Sequence, residues 1–180
     1  MSIKEFGIRV DSINLLEEVL NRTFRPKSET NQLVYSKMLE WLETCGNPIF
    51  KYVYYGSEFC SKRFPSVNEW KEMASFCQKH NKVLVMMFPP ADDETTKKAK
   101  DIVCDFNDSY KLKNIEIVVN DFGILEALNC IPSLKGKLVI RLGRVLDKTY
   151  HDGRLDDREI LCMYENCRVK WTEDKDWIPM

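Results

Sequence analysis

Short apolar runs alternate with amphipathic segments along most of this chain. The runs are rich in β-branched and aromatic residues, and each stops at a glycine, a proline or a polar residue. The nearly continuous apolar character of 83–88 is typical of a strand that is covered on both faces. The pattern predicts four core strands and one opening strand, at 49–55, 83–88, 115–119, 138–142 and 6–10.

The segments between these runs carry apolar residues at helical spacing. One of them begins with Ser66-x-x-Glu69, a capping box in which each side chain bonds a free backbone N–H of the other residue. We expect helices at 13–21, about 30–45, about 66–81 and about 91–110, and a short helix that ends near Pro132.

Strands that recur every 20–35 residues or so, with helices between them, favour right-handed crossovers and a parallel sheet. We therefore predict an α/β fold in a single domain over 1–180, with the tail 156–180 less well defined by its pattern. A partial or incomplete (β/α) TIM-like barrel is the preferred architecture, because a full barrel takes roughly 250 residues and this chain has 180. An open doubly wound sheet is the alternative.

The charge balance narrows the classes of partner. Lys and Arg number 27 against 28 Asp and Glu, so the charge does not support nucleic-acid binding driven by counterion release. The N-terminus has no basic region followed by an apolar stretch, and no segment is as long and apolar as a membrane span. We expect a cytoplasmic protein that does not enter a membrane.

Seven cysteines and two histidines, His80 and His151, limit the available chemistry. Without a secretion signal the cysteines are expected to be mostly reduced thiols rather than a disulfide framework. The apolar helical spacing of Cys77 predicts a buried structural thiol. Two histidines make a His-rich metal site or a His-dependent triad hard to assemble.

Polar and charged side chains follow the ends of three predicted strands. In parallel α/β folds, ligands bind beyond the carboxyl ends of the strands, where the loops converge. Arginine offers paired donors to carboxylate or phosphate, so we expect an anionic ligand at this edge. The candidate ligand-binding residues are Glu58, Lys62, Arg63, Asn120, Asp121, Arg141 and Arg144.

Each candidate also has a purely structural interpretation. Asn120 and Asp121 can form an Asx turn that caps a helix, and Lys62 and Arg63 can be solvated loop charges. Gly143 can serve only to permit a turn.

Three segments resemble the barrel motifs of the collagenase-like peptidase superfamily: Tyr54 to Arg63 (YYGSEFCSKR), Val118 to Gly123 (VVNDFG) and Leu142 to Lys148 (LGRVLDK). The similarity covers roughly residues 50–155. Branches of this superfamily include iron–sulfur proteins of oxygen-independent ubiquinone hydroxylation and of tRNA uridine hydroxylation. The resemblance implies a barrel fold and an iron–sulfur cluster as a candidate cofactor.

The resemblance also implies metal ligands. A cysteine in a Cys-Ser-Lys-Arg-like motif is one cluster ligand in the ubiquinone-hydroxylation branch, and Cys60 matches it. The later ligands would be Cys162 and Cys167, with Cys130 as a further option, although their spacing departs from the family pattern. Two alternatives stay open: a zinc site on these cysteines with His151 or Cys130, and ordinary reduced thiols without metal.

Two classes of function follow. The first is a redox or modification-enzyme component that acts on an anionic small molecule, a nucleic acid or a peptide; the second is a non-catalytic ligand-binding or partner subunit without metal. Relatives are generally longer, so we expect another protein chain or a homo-oligomer to complete the structure. A peptidase ranks third because the chain lacks a G-x-S-x-G elbow, an H-E-x-x-H helix and a Cys–His pair. Cys60 could still be a nucleophile, because Lys62 and Arg63 would favour its thiolate.

Overall fold

The computed structural model describes residues 5–45, 49–110 and 114–146, and strands alternate with helices along them. The strands are β1 (Glu5–Val10), β2 (Ile49–Gly56), β3 (Val83–Phe88), β4 (Ile115–Val119) and β5 (Leu138–Leu142). The helices are α1 (Ile13–Leu20), α2 (Glu29–Thr44), α3 (Val67–Lys79), α4 (Asp93–Tyr110) and α5 (Phe122–Asn129). Single 3-10 turns lie at Ser61–Arg63 and Pro132–Leu134.

The strands and helices predicted for 6–142 are all present, and their bounds differ from the predicted ones by two residues at most, except that α5 ends three residues before Pro132. The α/β class is therefore confirmed. Helix α3 begins with the predicted capping box: Ser66 Oγ accepts from the backbone N–H of Glu69 at 3.3 Å, and the Glu69 carboxylate accepts from the Ser66 N–H at 2.8 Å. Helix α4 begins later than predicted because the Asp92 carboxylate accepts from the backbone N–H of Thr95.

The described residues form two compact units. Unit 1 holds the described residues up to Gly56 together with Pro65–Met87, and its strands run parallel in the order β1-β2-β3. Tyr55 of β2 meets Trp70 of α3 edge-to-face, with ring centroids 5.0 Å apart. Trp70 and Cys77 are fully buried, which confirms the predicted buried stripe of α3. Burying a large apolar side chain in this way stabilises the fold by about 1.5–3 kcal/mol.

Unit 2 holds Ser57–Phe64 and the described residues from Phe88 onward. Strands β4 and β5 pair in parallel, with Ile115 opposite Leu138 and Val119 opposite Leu142. Helices α4 and α5 contact each other and bury apolar stripes. These buried residues are Ala99, Ile102, Val103 and Phe106 in α4, and Ile124, Leu125 and Leu128 in α5.

Three predictions about the fold are not tested by the described residues. The predicted tail 156–180 lies outside the described residues. The single domain and the partial barrel stay predictions. None of the described helices has the length and apolar character that a membrane crossing requires.

Candidate functional site

Glu58 and Arg144, two of the predicted site residues, are bonded to each other in unit 2. Arg144 donates from Nε to Glu58 Oε1 at 2.8 Å and from Nη2 to Oε2 at 2.7 Å, although the residues are 86 positions apart. The Glu58 side chain is 8% exposed and that of Arg144 is 60% exposed. The hydrogen bond to Glu58 raises the pKa of Arg144 further above its usual value. A buried carboxylate is thus neutralised by a cation that still reaches solvent.

Phe59 lies beneath this ion pair. The guanidinium carbon of Arg144 is 4.8 Å from the centre of the Phe59 ring, a cation–π arrangement. Phe59 is nevertheless 56% exposed. The sequence analysis did not select Phe59, although a phenylalanine in a polar loop between Glu58 and Cys60 was a usable signal.

Asn120 is buried just beyond β4 and joins two chain segments. Its Nδ2 donates to the carbonyl of Phe88 at 3.1 Å, and its Oδ1 accepts from the backbone N–H of Val145 at 3.2 Å. Gly143 lies against the same amide, and a Cβ atom at position 143 would overlap the Asn120 side chain. Gly143 therefore does more than permit a turn, because it provides the space that Asn120 occupies. We call Glu58, Phe59, Asn120, Gly143 and Arg144 the strand-end cluster.

Asp121 has the structural role that was the alternative to ligand binding. It is the N-cap of α5, and its Oδ1 accepts from the backbone N–H of Ile124 at 3.1 Å. Its carboxylate thus binds the free N–H groups of the helix start.

The loop that carries Cys60 is held by Ser57. Ser57 Oγ donates to the carbonyl of Cys60 at 2.6 Å and accepts from its N–H at 3.1 Å. Cys60 is half-buried, whereas Lys62 and Arg63 in the following 3-10 turn are exposed. Neither cation forms a hydrogen bond or an ion pair with any residue in the described part of the chain.

Arg141 is placed apart from the other predicted cations. It lies within β5, and its guanidinium forms an ion pair with Glu116 of the neighbouring strand β4. The Glu116 side chain is largely buried, so Arg141 balances a charge on the sheet itself. It does not join the strand-end cluster.

The predicted metal ligands are only partly described. Cys60 lies in the loop of the strand-end cluster, while Cys162, Cys167 and His151 lie outside the described residues. Cys130 is exposed at the end of α5, where its thiol donates to the Glu126 carboxylate at 3.3 Å. Within 5–45, 49–110 and 114–146, no three His, Cys, Asp or Glu residues are grouped so that they could hold a metal ion.

An open pocket of about 290 Å³ lies in unit 1. Its lining includes Phe50, His80 and Lys82, none of which the sequence analysis selected. Lys82 Nζ donates to the carbonyl of Phe50 at 2.6 Å, and the His80 ring stacks on Phe76. Lys82 and the His80 ring are therefore engaged in local structure, and the strand-end cluster is the stronger candidate site.

The strand-end cluster draws on all three motif segments. Glu58 belongs to the first, Asn120 to the second, and Gly143 and Arg144 to the third. Comparison of the chain with family models, with curated proteins and with solved structures gives no match. Membership of the collagenase-like peptidase superfamily stays a prediction that rests on these motifs.

Proposed function

We propose that this chain is a redox or modification-enzyme component of the collagenase-like peptidase superfamily, and that it binds an anionic ligand at the strand-end cluster. The contact between Glu58 and Arg144 carries the proposal, because it joins the first and third motif segments directly. Asn120 joins the second segment to the third through Val145. A partial β/α barrel, in which strand-end loops form the ligand site, is the architecture that we propose with this function.

The free cations of this region support an anionic ligand. Lys62 and Arg63 are exposed, their side-chain cations bond no described residue, and Ser57 holds their loop in place. Arg144 uses Nε and Nη2 on Glu58, which leaves Nη1 for a ligand. In this proposal Arg144, Lys62 and Arg63 bind the anion, and buried Glu58 orients Arg144.

The cluster cofactor is a separate part of the proposal. Among the described residues Cys60 is the one thiol in this loop, and an iron–sulfur cluster takes about four thiolates. Cys60 alone does not make such a site, so a cluster would need Cys162 and Cys167 as further ligands.

The anion site is tested with the full chain and a small set of probes: inorganic phosphate, citrate, a single-stranded RNA oligonucleotide and a glutamate-rich peptide. We expect at least one probe to raise the melting temperature of the wild type but not that of Lys62→Ser/Arg63→Ser. Lys79→Ser/Lys135→Ser removes the same charge from two exposed sites elsewhere and should keep the response. Equal responses of the two double variants, or no response of the wild type, would contradict the anion site.

The cofactor is tested by anaerobic purification and reconstitution, followed by iron and sulfide analysis. Cys60→Ser should lose both elements, and Cys45→Ser, which changes a thiol at the end of α2, should retain them. A wild-type chain without iron and sulfide removes the cluster from the proposal.

The second candidate function, a binding or partner subunit without metal, is favoured by one observation. Glu58, Asn120 and Arg144 all bond protein groups, and His80, the histidine in the described part of the chain, does not belong to the strand-end cluster. Such an arrangement can hold a ligand without an acid–base or nucleophilic group. A metal-free chain that still binds one of the anionic probes would identify this function.

A further inference from the structure

Helix α2 exposes apolar surface over its whole length. Five of the seven large apolar side chains that are exposed in the described part of the protein lie on this helix. They are Leu33, Val34, Met38, Leu39 and Trp41, with exposed fractions between 40% and 63%. None of the 16 residues of α2 is buried. Large exposed apolar patches of this kind mark interaction surfaces.

Part of this surface forms a regular stripe. Val34, Met38, Trp41 and Cys45 follow one another at spacings of four, three and four residues, which is the seam of a heptad repeat. An adjacent side of the helix contacts the protein itself, because half-buried Tyr35 packs edge-to-face on Phe24 with centroids 5.2 Å apart. We call these four residues the α2 seam.

We propose that the α2 seam is a homodimer interface in which α2 pairs antiparallel with α2 of a second copy. The spacing of four, three and four residues is the same in both directions along the helix. A two-fold axis perpendicular to the two helices therefore pairs each of the four seam residues of one copy with a seam residue of the other. Met38 of one copy then lies against Trp41 of the other, a favourable sulfur–aromatic pair, and Val34 lies against Cys45. Lys37 is the charged residue that flanks the seam, so the interface brings no opposed carboxylates together.

The exposed area fits a dimer of modest affinity. With roughly 150–250 Å² for a large side chain, Val34, Met38 and Trp41 contribute roughly 300 Å² of apolar surface per copy. A standard interface buries about 800 Å² per partner, so the α2 seam is a small interface and the dimer should be weak and reversible. We expect a dissociation constant on the order of micromolar. This inference is independent of the proposed ligand site.

The first test is sedimentation velocity of the full chain over a concentration series that spans this dissociation constant. The wild type should change from monomer to dimer, and Met38→Glu should raise the dissociation constant at least about tenfold because it buries a carboxylate in the seam. Val67→Glu, which places the same charge at an exposed valine of α3, should dimerise like the wild type. Far-UV circular dichroism of each variant checks that it is folded. A wild type that stays monomeric throughout, or a dimer that Met38→Glu leaves intact, overturns the proposal.

The second test fixes the orientation of the helices. In an antiparallel pair, the thiol introduced by Val34→Cys meets native Cys45 of the other copy, whereas within one helix these positions are about 16 Å apart. Oxidised glutathione, which is reduced as the two thiols are oxidised, should give a covalent dimer linked between positions 34 and 45. Adding Cys45→Ser should abolish this product. A dimer linked between the two copies of position 34 would indicate parallel helices and overturn the antiparallel pairing.

Discussion

Gly143 and Asn120 fit together so closely that the side-chain amide of Asn120 occupies the place where a Cβ atom of residue 143 would lie. Asn120 is buried there because it bonds the Phe88 carbonyl and the Val145 N–H at once. Gly143 also donates its own N–H to the carbonyl of Val119 at 2.7 Å, so its backbone has little room to move away. Glycine is required at position 143 by this close approach.

Gly143→Ala should therefore destabilise the fold by about 1–3 kcal/mol, because the added methyl group displaces Asn120 from its two backbone partners. Urea denaturation followed by circular dichroism measures this change. In an Asn120→Ala background, where the amide is absent, the same substitution should cost clearly less. Equal costs in the two backgrounds would show that Asn120 is not the group that requires glycine.

Removing Arg144 from the ion pair of the strand-end cluster should destabilise the fold more than removing both charged partners, Arg144 and Glu58. Arg144→Ala removes the two hydrogen bonds that the guanidinium donates to the buried Glu58 carboxylate, so it should lower the melting temperature. The double variant Glu58→Gln/Arg144→Ala removes the buried charge as well, and it should be more stable than Arg144→Ala alone. Thermal denaturation of the wild type, both of these variants and Glu58→Gln completes the cycle.

A second arginine–carboxylate ion pair provides a control for the effect of Arg144→Ala on stability and on ligand binding. Arg141→Ala also removes an arginine from a carboxylate, Glu116, but outside the strand-end cluster. It should lower stability without changing the binding of an anionic probe, whereas Arg144→Ala should weaken that binding. An Arg144→Ala variant that binds the probe as well as Arg141→Ala does would remove Arg144 from the proposed site.

Local signals in the sequence were enough to predict the elements. The apolar run 83–88 ends at Pro89, and β3 ends at Phe88, since proline has no N–H for a strand ladder. Ser66 and Glu69 likewise mark the start of α3 within a few residues of chain. Each of these signals is formed by residues that are close together in the chain, so it can be recognised in a single sequence.

The partners within the site depend on contacts that a linear pattern does not contain. Glu58 and Arg144 were both candidates, but nothing in the sequence indicates that residues 86 positions apart neutralise each other. Arg141 was expected beside the other cations, yet its position within β5 places it next to Glu116. Helix α2 was predicted as an element, but its exposed apolar residues were not, because helical spacing does not tell which face a neighbour covers.

The capping box of α3 should make one part of the stability depend on pH. Hydrogen bonds from the Ser66 N–H and hydroxyl lower the pKa of Glu69 below its usual 4.5. The stabilisation by this carboxylate is therefore present above pH 4.5 or so and is lost as the pH falls through the lowered pKa. Ser66→Ala should cost about 1 kcal/mol at pH 7 and less near pH 3, as measured by urea denaturation.

Helix α2 provides the control for this pH dependence. Its N-cap Ser28 accepts from the Asn31 N–H at 3.2 Å and has no carboxylate partner of the Glu69 kind. Ser28→Ala should therefore cost a similar amount at both pH values. If the costs of the two substitutions change with pH in parallel, the capping carboxylate is not the source of the dependence.

The described thiols should differ widely in their rates of alkylation. Burial raises the pKa of Cys77 to about 12, so at pH 8 its thiolate is on the order of a thousandfold rarer than that of an ordinary cysteine. Iodoacetamide labelling of the folded chain, mapped by peptide mass spectrometry, should leave Cys77 unmodified until urea unfolds the protein. Cys60, which is half-buried in the loop after β2, should label faster than Cys77. Labelling of Cys77 as fast as that of Cys60 would contradict the buried core of α3.

Cys130 provides an internal comparison in the same experiment, because it is exposed but not free. Its hydrogen bond to the Glu126 carboxylate, together with the negative charge of Glu126, raises its pKa and should slow its alkylation. Glu126→Gln removes the charge, so it should lower the pKa of Cys130 and speed the labelling of this thiol while Cys60 and Cys77 keep their rates. An unchanged Cys130 rate in Glu126→Gln would show that access, and not the carboxylate, governs this position.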